Sequence, residues 1–150
     1  LKGFKCQIYA SDVYWDEEFV SRFDIIKTNV ETIFRKCEFI SLNIPALEEY
    51  RGFVNSEKLG MMKPNAILIN TARGDLVDRE ALLKALRDGT IGGYGADVSW
   101  GEPEIDEAFN EFDNVVITPH NAAVTVGAID RMSEMAVMNV LKYIDEIKGE

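Results

Sequence analysis

Arg73, Glu102 and His120 carry three different chemistries: a guanidinium, a carboxylate and an imidazole. His120 is the single histidine of the chain and follows Ile117-Thr118-Pro119. Imidazole titrates near neutrality, which suits giving and taking the hydroxyl proton that accompanies hydride transfer. A carboxylate bonded to its far ring nitrogen would fix the tautomer and stabilise the imidazolium. Glu102 is the candidate for that carboxylate, although it sits among Glu104, Asp106 and Glu107, as any residue of a solvated acidic loop would. A lone histidine is more often structural than catalytic. A guanidinium fork fits a carboxylate bidentately, so Arg73 could hold a 2-oxo acid and polarise its adjacent carbonyl; the plainer alternative is a surface arginine. Asp12 could accept hydrogen bonds from the ribose hydroxyls of a dinucleotide and repel a 2′-phosphate, favouring NAD over NADP; otherwise it is a solvated turn aspartate. Asp97 could meet the nicotinamide side of such a cofactor.

These residues gain weight from the elements that must position them. Cys6-Gln7-Ile8-Tyr9-Ala10, Phe39-Ile40-Ser41-Leu42, Ala66-Ile67-Leu68-Ile69, Tyr94-Gly95-Ala96-Asp97-Val98 and Val115-Val116-Ile117 read as strands. The run at 66–69 does not alternate with polar residues, which predicts burial on both faces. Between the strands lie helical patterns. Asn29 can cap Val30 to Lys36, Ser56 can cap a short turn through Leu59 and Met62, and Asp78 can cap Arg79 to Asp88. Leu82, Leu83 and Leu86 make one apolar face, and Gly89 stands where a helix C-terminus prefers glycine. A long amphipathic helix from about Thr125 to Ile147 closes the pattern. Strands separated by helices pair in parallel, because the crossover is right-handed and helix-covered. The expected architecture is an open α/β sheet, and ligands in such sheets bind beyond the carboxyl ends of the strands. Asp12, Asn43, Asn70 to Arg73, Asp97 and His120 all fall at those ends.

Composition narrows the classes. The 150 residues carry 26 acidic against 16 basic side chains, a net charge of −10, which disfavours a nucleic-acid surface. No apolar run approaches the roughly 20 residues that span a bilayer, so no membrane partner is expected. Cys6 and Cys37 come without a CxxC or Cys/His cluster, which argues against a metal site and reads as two reduced, mostly buried thiols of a cytoplasmic protein. Gly92-Gly93-Tyr94-Gly95 is a decoy for a phosphate loop, since it precedes a strand and lacks the GxGxxG spacing. Arg73-Gly74-Asp75 spells an adhesion tripeptide by chance.

Asn70-Thr71-Ala72-Arg73-Gly74-Asp75-Leu76-Val77-Asp78, Gly95-Ala96-Asp97-Val98, Glu102-Pro103 and Asn114-Val115-Val116-Ile117-Thr118-Pro119-His120 occur in this order. The set resembles the NAD-dependent D-isomer-specific 2-hydroxyacid dehydrogenases, with the phosphoglycerate dehydrogenase branch nearest. The resemblance implies a Rossmann-like open parallel sheet with helices on both faces. It implies NAD as cofactor, a small 2-hydroxy or 2-oxo acid as substrate, and a homodimer. It matches Arg73, Glu102 and His120 to the catalytic trio. Asp12 matches the ribose-binding acid and Ile44, before Pro45, a cofactor contact. Thr71, Ala72, Arg73, Asp97, His120, Asn121, Ala122 and Ala123 match positions around the nicotinamide end.

Departures from the family pattern are local. Asn43 stands where histidine is frequent, Ala46-Leu47-Glu48-Glu49 replaces a threonine-containing stretch, and Asn121-Ala122-Ala123 replaces a more glycine-rich run. Ser99-Trp100-Gly101 before the glutamate is unusual. The resemblance begins near the end of a helix, at Leu1-Lys2-Gly3-Phe4, so residues 1–150 are expected to be part of a nucleotide-binding domain. The first strand, its glycine-rich turn and the substrate domain would lie outside it. That strand is central in the order 3-2-1-4-5-6, so two unpaired strand edges are expected. Two other functional classes stay open: an NAD-sensing, corepressor-like interaction module without catalysis, and an inert piece of sheet.

Overall fold

The computed structural model describes residues 2–148 and falls into two compact units, one up to Pro119 and the other from His120 onward. Leu1, where the sequence places a helix end, lies outside the described residues; Lys2–Phe4 forms a single 3-10 turn.

The first unit alternates strands and helices. Strand β1 (Ile8–Ala10) is followed by helix α1 (Glu17–Arg22), β2 (Ile25–Lys27), α2 (Val30–Lys36) and β3 (Phe39–Leu42). Then come α3 (Ser56–Met61), β4 (Ile67–Asn70), α4 (Arg79–Arg87), β5 (Gly93–Ala96) and β6 (Val115–Ile117). All pairings are parallel, and the strands form two sheets, β1-β2 and β3-β4-β5-β6. β1 and β3 each end a sheet, as expected for two unpaired edges at that point in the order.

The helices start where polar side chains satisfy otherwise orphaned N–H groups. The side chains of Asp16, Asn29, Asn55 and Asp78 accept from the N–H three residues on. Asn55, not Ser56, caps α3, because the amide oxygen reaches the Lys58 N–H at 3.1 Å. Gly89 takes a left-handed φ of +64° just past α4, and the Thr90 N–H closes on the Ala85 carbonyl at 2.8 Å.

Sequence patterns miss α1 and β2. β2 is three residues long, and only its pairing with Ile8, Tyr9 and Ala10 defines it. β4 corrects another expectation. Leu68 and Asn70 are fully buried, whereas Ile67 and Ile69 on the opposite side are half-buried. The core therefore sits on one face of the four-stranded sheet, where Ile40, Leu68 and Tyr94 pack with Phe34, Leu59, Leu82 and Leu86. The thiols also differ from expectation. Cys37 is half-buried and burial pushes its pKa up, with Lys63 opposing, but Cys6 precedes β1 and is exposed.

The second unit opens with a turn at 121–125 and continues as helix α5 (Val126–Lys148). Thr125 caps it, its Oγ1 accepting from the Ala128 N–H at 3.2 Å.

Candidate active site

The register of the four-stranded sheet sets the site. Leu42 pairs with Asn70, Asn70 with Ala96, and Ala96 with Ile117, so the four strands end level with one another. The residues that follow them share one rim.

At the end of β4, the completely buried Asn70 folds the chain back on itself. Its Nδ2 donates to the Arg73 carbonyl at 2.7 Å and its Oδ1 accepts from the Ala72 N–H at 3.1 Å. The turn that carries Arg73 is thus tied to the sheet by a side chain that water does not reach. Thr71 is exposed and Ala72 half-buried. The exposed Arg73 guanidinium donates to the Ala72 carbonyl at 2.6 Å.

Gly74 brings the next loop against this turn. A Cβ on Gly74 would lie 2.4 Å from the Ser99 carbonyl oxygen, so only glycine lets the two backbones approach this closely. Ser99 in turn holds Glu102: its N–H donates to Glu102 Oε1 at 3.0 Å. The loops that carry Arg73 and Glu102 therefore meet backbone to backbone. Glu102 itself is exposed, and its peptide bond to Pro103 is cis.

Asp97, just beyond β5, is buried at 8% exposure. Its N–H donates to the Asn70 carbonyl at 3.2 Å, and its Oδ1 accepts from the Thr118 hydroxyl at 2.5 Å. Ile44, after β3, is half-buried against the core, and the neighbouring Asn43 side chain donates to Ser41. Asp12, after β1, is exposed and accepts the Val13 and Tyr14 N–H groups at 2.7 and 3.2 Å, both on Oδ1. It belongs to the two-stranded sheet.

His120 opens the second unit with a left-handed φ of +52°. Non-glycine residues rarely adopt this region, and such outliers gather at functional sites. His120, Asn121, Ala122 and Ala123 are exposed. The Val124 N–H returns to the Asn121 carbonyl at 2.9 Å, which shapes the turn. Arg73, Glu102 and Asp97 thus belong to one unit and His120 with Asn121–Ala123 to the other.

Sequence reasoning overlooked Asn70 and Ser99 as holders of these groups. The signal for Asn70 was a polar residue ending an otherwise apolar strand. Ser99 acts through its backbone, which no residue type announces. Among the described residues, no group of three His, Cys, Asp or Glu side chains could hold a metal ion, and no helix is long and apolar enough to cross a membrane.

The family model for the NAD-binding domain of D-isomer specific 2-hydroxyacid dehydrogenases matches residues 1–122. The chain belongs to that family. This dehydrogenase domain is 39% identical over 153 residues to a glyoxylate reductase of Thermofilum pendens, covering 100% of the chain and 44% of the relative. It is 37% identical over 142 residues to a glyoxylate reductase of Pyrococcus horikoshii, covering 95% of the chain and 42% of the relative. The chain thus spans less than half the length of these curated relatives, and their name differs from the phosphoglycerate branch suggested by the motifs. Among solved structures, it superposes with a TM-score of 0.87 and 30% identity on an NAD-complexed D-isomer specific 2-hydroxyacid dehydrogenase of Lactobacillus delbrueckii ssp. bulgaricus, covering 97% of the chain and 47% of that structure. A D-lactate dehydrogenase of Aquifex aeolicus complexed with NAD and lactic acid gives a TM-score of 0.86 at 28% identity, covering 97% of the chain and 48% of that structure.

Proposed function

We propose that the protein containing this chain is an NAD-dependent dehydrogenase that interconverts a D-2-hydroxy acid and its 2-oxo acid. Residues 1–150 supply part of its NAD-binding domain, and the substrate domain lies elsewhere in the protein. The observation that carries this reading is the Gly74–Ser99 backbone contact, which joins an arginine loop to a glutamate loop on the rim where parallel sheets bind ligands.

The residues present fit the cofactor. An exposed carboxylate at the end of β1, with its turn bonds on Oδ1 alone, suits ribose hydroxyls and repels a 2′-phosphate, so NAD is favoured over NADP. The buried Asp97, fixed by Thr118 and Asn70, offers an acceptor at the nicotinamide end. Ile44, Thr71 and Ala72 follow the ends of β3 and β4, and the family pattern assigns them, with Asn121, Ala122 and Ala123, to cofactor contacts. NAD, when bound, supplies the two-electron exchange at the substrate C2.

Arg73 binds the substrate carboxylate through its fork, which orients the C2 oxygen. His120 delivers the proton to that oxygen during reduction and takes it back during oxidation. Glu102 bonds the far ring nitrogen, keeps the tautomer correct and stabilises the imidazolium. Small 2-oxo acids, glyoxylate first among them, are the substrates to assay. The full protein acts in the cytoplasm, as a homodimer.

The test is reduction of glyoxylate by NADH with the full-length protein, comparing wild type with His120→Ala. Loss of general acid catalysis lowers kcat by roughly 10²–10⁴-fold. A variant that turns over at the wild-type rate rejects the assignment.

A further inference from the structure

Arg79, the first residue of α4, reaches across 27 positions of sequence to Asp106. Its Nε donates to Oδ2 and its Nη2 to Oδ1, the latter at 3.0 Å, so both carboxylate oxygens are engaged by one guanidinium fork. The Asp106 side chain is only 14% exposed. The ion pairs made by the other α4 cations, Lys84–Asp88 and Arg87–Glu111, have both partners more than half exposed. Pairs of that kind contribute little, whereas a shielded two-bond pair fixes direction as well as charge.

The pair terminates a segment that is fastened at several points. Ser99 N–H holds Glu102 Oε1 at 3.0 Å, and Ser99 Oγ donates to the Glu104 carbonyl at 2.9 Å. Trp100 Nε1 donates to the Val77 carbonyl at 2.9 Å, and its ring stacks on Phe109 with centroids 5.2 Å apart. Asp106 Oδ1 also accepts from the Ala108 N–H at 3.1 Å, starting the 3-10 turn Glu107–Glu111. The short stretch 73–79 thus carries the substrate-binding guanidinium at one end and the tether of the glutamate segment at the other.

We propose that Arg79 and Asp106 are positioning residues, whose ion pair fixes the segment 99–106 and thereby holds the Glu102 carboxylate on the Ser99 N–H. The catalytic consequence rests on Glu102 being the partner of His120, as proposed above; the structural consequence does not.

Two measurements on the full-length protein separate these layers: amide hydrogen exchange at Ser99, and kcat with KM for 2-oxo acid reduction. The variants are Arg79→Met, Arg79→Lys and Asp106→Asn, with Arg87→Met as the control on an exposed pair. Arg79→Met and Asp106→Asn each speed Ser99 exchange by about tenfold, because the carboxylate acceptor is no longer held in place. They lower kcat about tenfold with KM little changed, since a misplaced partner weakens proton transfer without weakening binding. Arg79→Lys recovers part of both losses, and Arg87→Met matches wild type. Wild-type Ser99 exchange in both Arg79→Met and Asp106→Asn overturns the proposal. Faster exchange with unchanged kcat overturns the positioning role. If Arg79→Met does not fold, the isosteric Asp106→Asn decides. If the wild-type protein reduces no 2-oxo acid, the dehydrogenase reading falls, and Ser99 exchange alone decides the tether.

Discussion

Arg73 and Tyr94 show how much depends on the surroundings of a single side chain. Arg73 offers a planar fork that lysine cannot reproduce. On the proposed role of Arg73, Arg73→Lys in the full-length protein keeps the charge but loses the bidentate geometry, and raises KM for a 2-oxo acid by about tenfold, equivalent to one charged hydrogen bond; steady-state kinetics at several substrate concentrations check this. Tyr94 lies in the middle of the core at 2% exposure, and its Oη has no hydrogen-bond partner of normal geometry among the described residues. Burial pushes its pKa up to about 12, with Asn70 acting in the opposite sense. The fold therefore favours the neutral phenol. Below the ordinary tyrosine pKa of about 10 both folded and unfolded chains hold the proton, and stability is unaffected. As pH rises from about 10 toward 12 the unfolded chain ionises first, and roughly 3 kcal/mol of stability is lost. Urea unfolding across that alkaline range shows this decline in the wild type and a flatter profile in Tyr94→Phe.

At the scale of elements, backbone contacts bring the candidate loops together. Gly74 follows Arg73 and abuts Ser99, so the turn after β4 and the loop after β5 are effectively one layer. Gly92 and Gly93 play the same part at the start of β5, where a Cβ would lie 2.6 Å from backbone atoms of Asn65 and Asn114 respectively. Gly74→Ala forces those backbones apart, destabilises the domain by about 1–3 kcal/mol and lowers activity with it. A chemical-denaturation midpoint beside a kcat measurement checks both effects; an unchanged midpoint would show that the layer yields freely. The Asn70 clamp is the other device at this scale. It was legible only as a polar residue closing an apolar strand, because the groups it binds, the Ala72 N–H and the Arg73 carbonyl, are backbone atoms.

At the largest scale, the strands of the first unit form two separate sheets, and β1 and β3 are edge strands among the described residues. Phe39 on β3 is 68% exposed, although strand phenylalanines normally lie under cover. Such an edge offers unpaired N–H and C=O groups and an apolar side chain to any further strand. The sequence also contains no GxGxxG turn to cradle a pyrophosphate. A titration of NADH into the isolated 150-residue chain therefore gives only weak binding, above the micromolar range, while the full-length protein binds more tightly; micromolar affinity in the isolated chain would place the pyrophosphate site within it.

Sequence alone determined the alternation of strands and helices, the helix caps at Asn29 and Asp78, the glycine stop at Gly89 and the order of the Arg73, Glu102 and His120 motifs. Each of these is a local property: periodicity, capping chemistry and spacing are written along the chain. The tertiary structure alone decided that β4 is buried on one side, that β2 exists as a partner of β1, that Asn70 and Ser99 hold the arginine and glutamate loops, and that Arg79 tethers Asp106. These depend on contacts between residues distant in sequence, many of them through backbone atoms common to every residue type, and folding is what brings such atoms together.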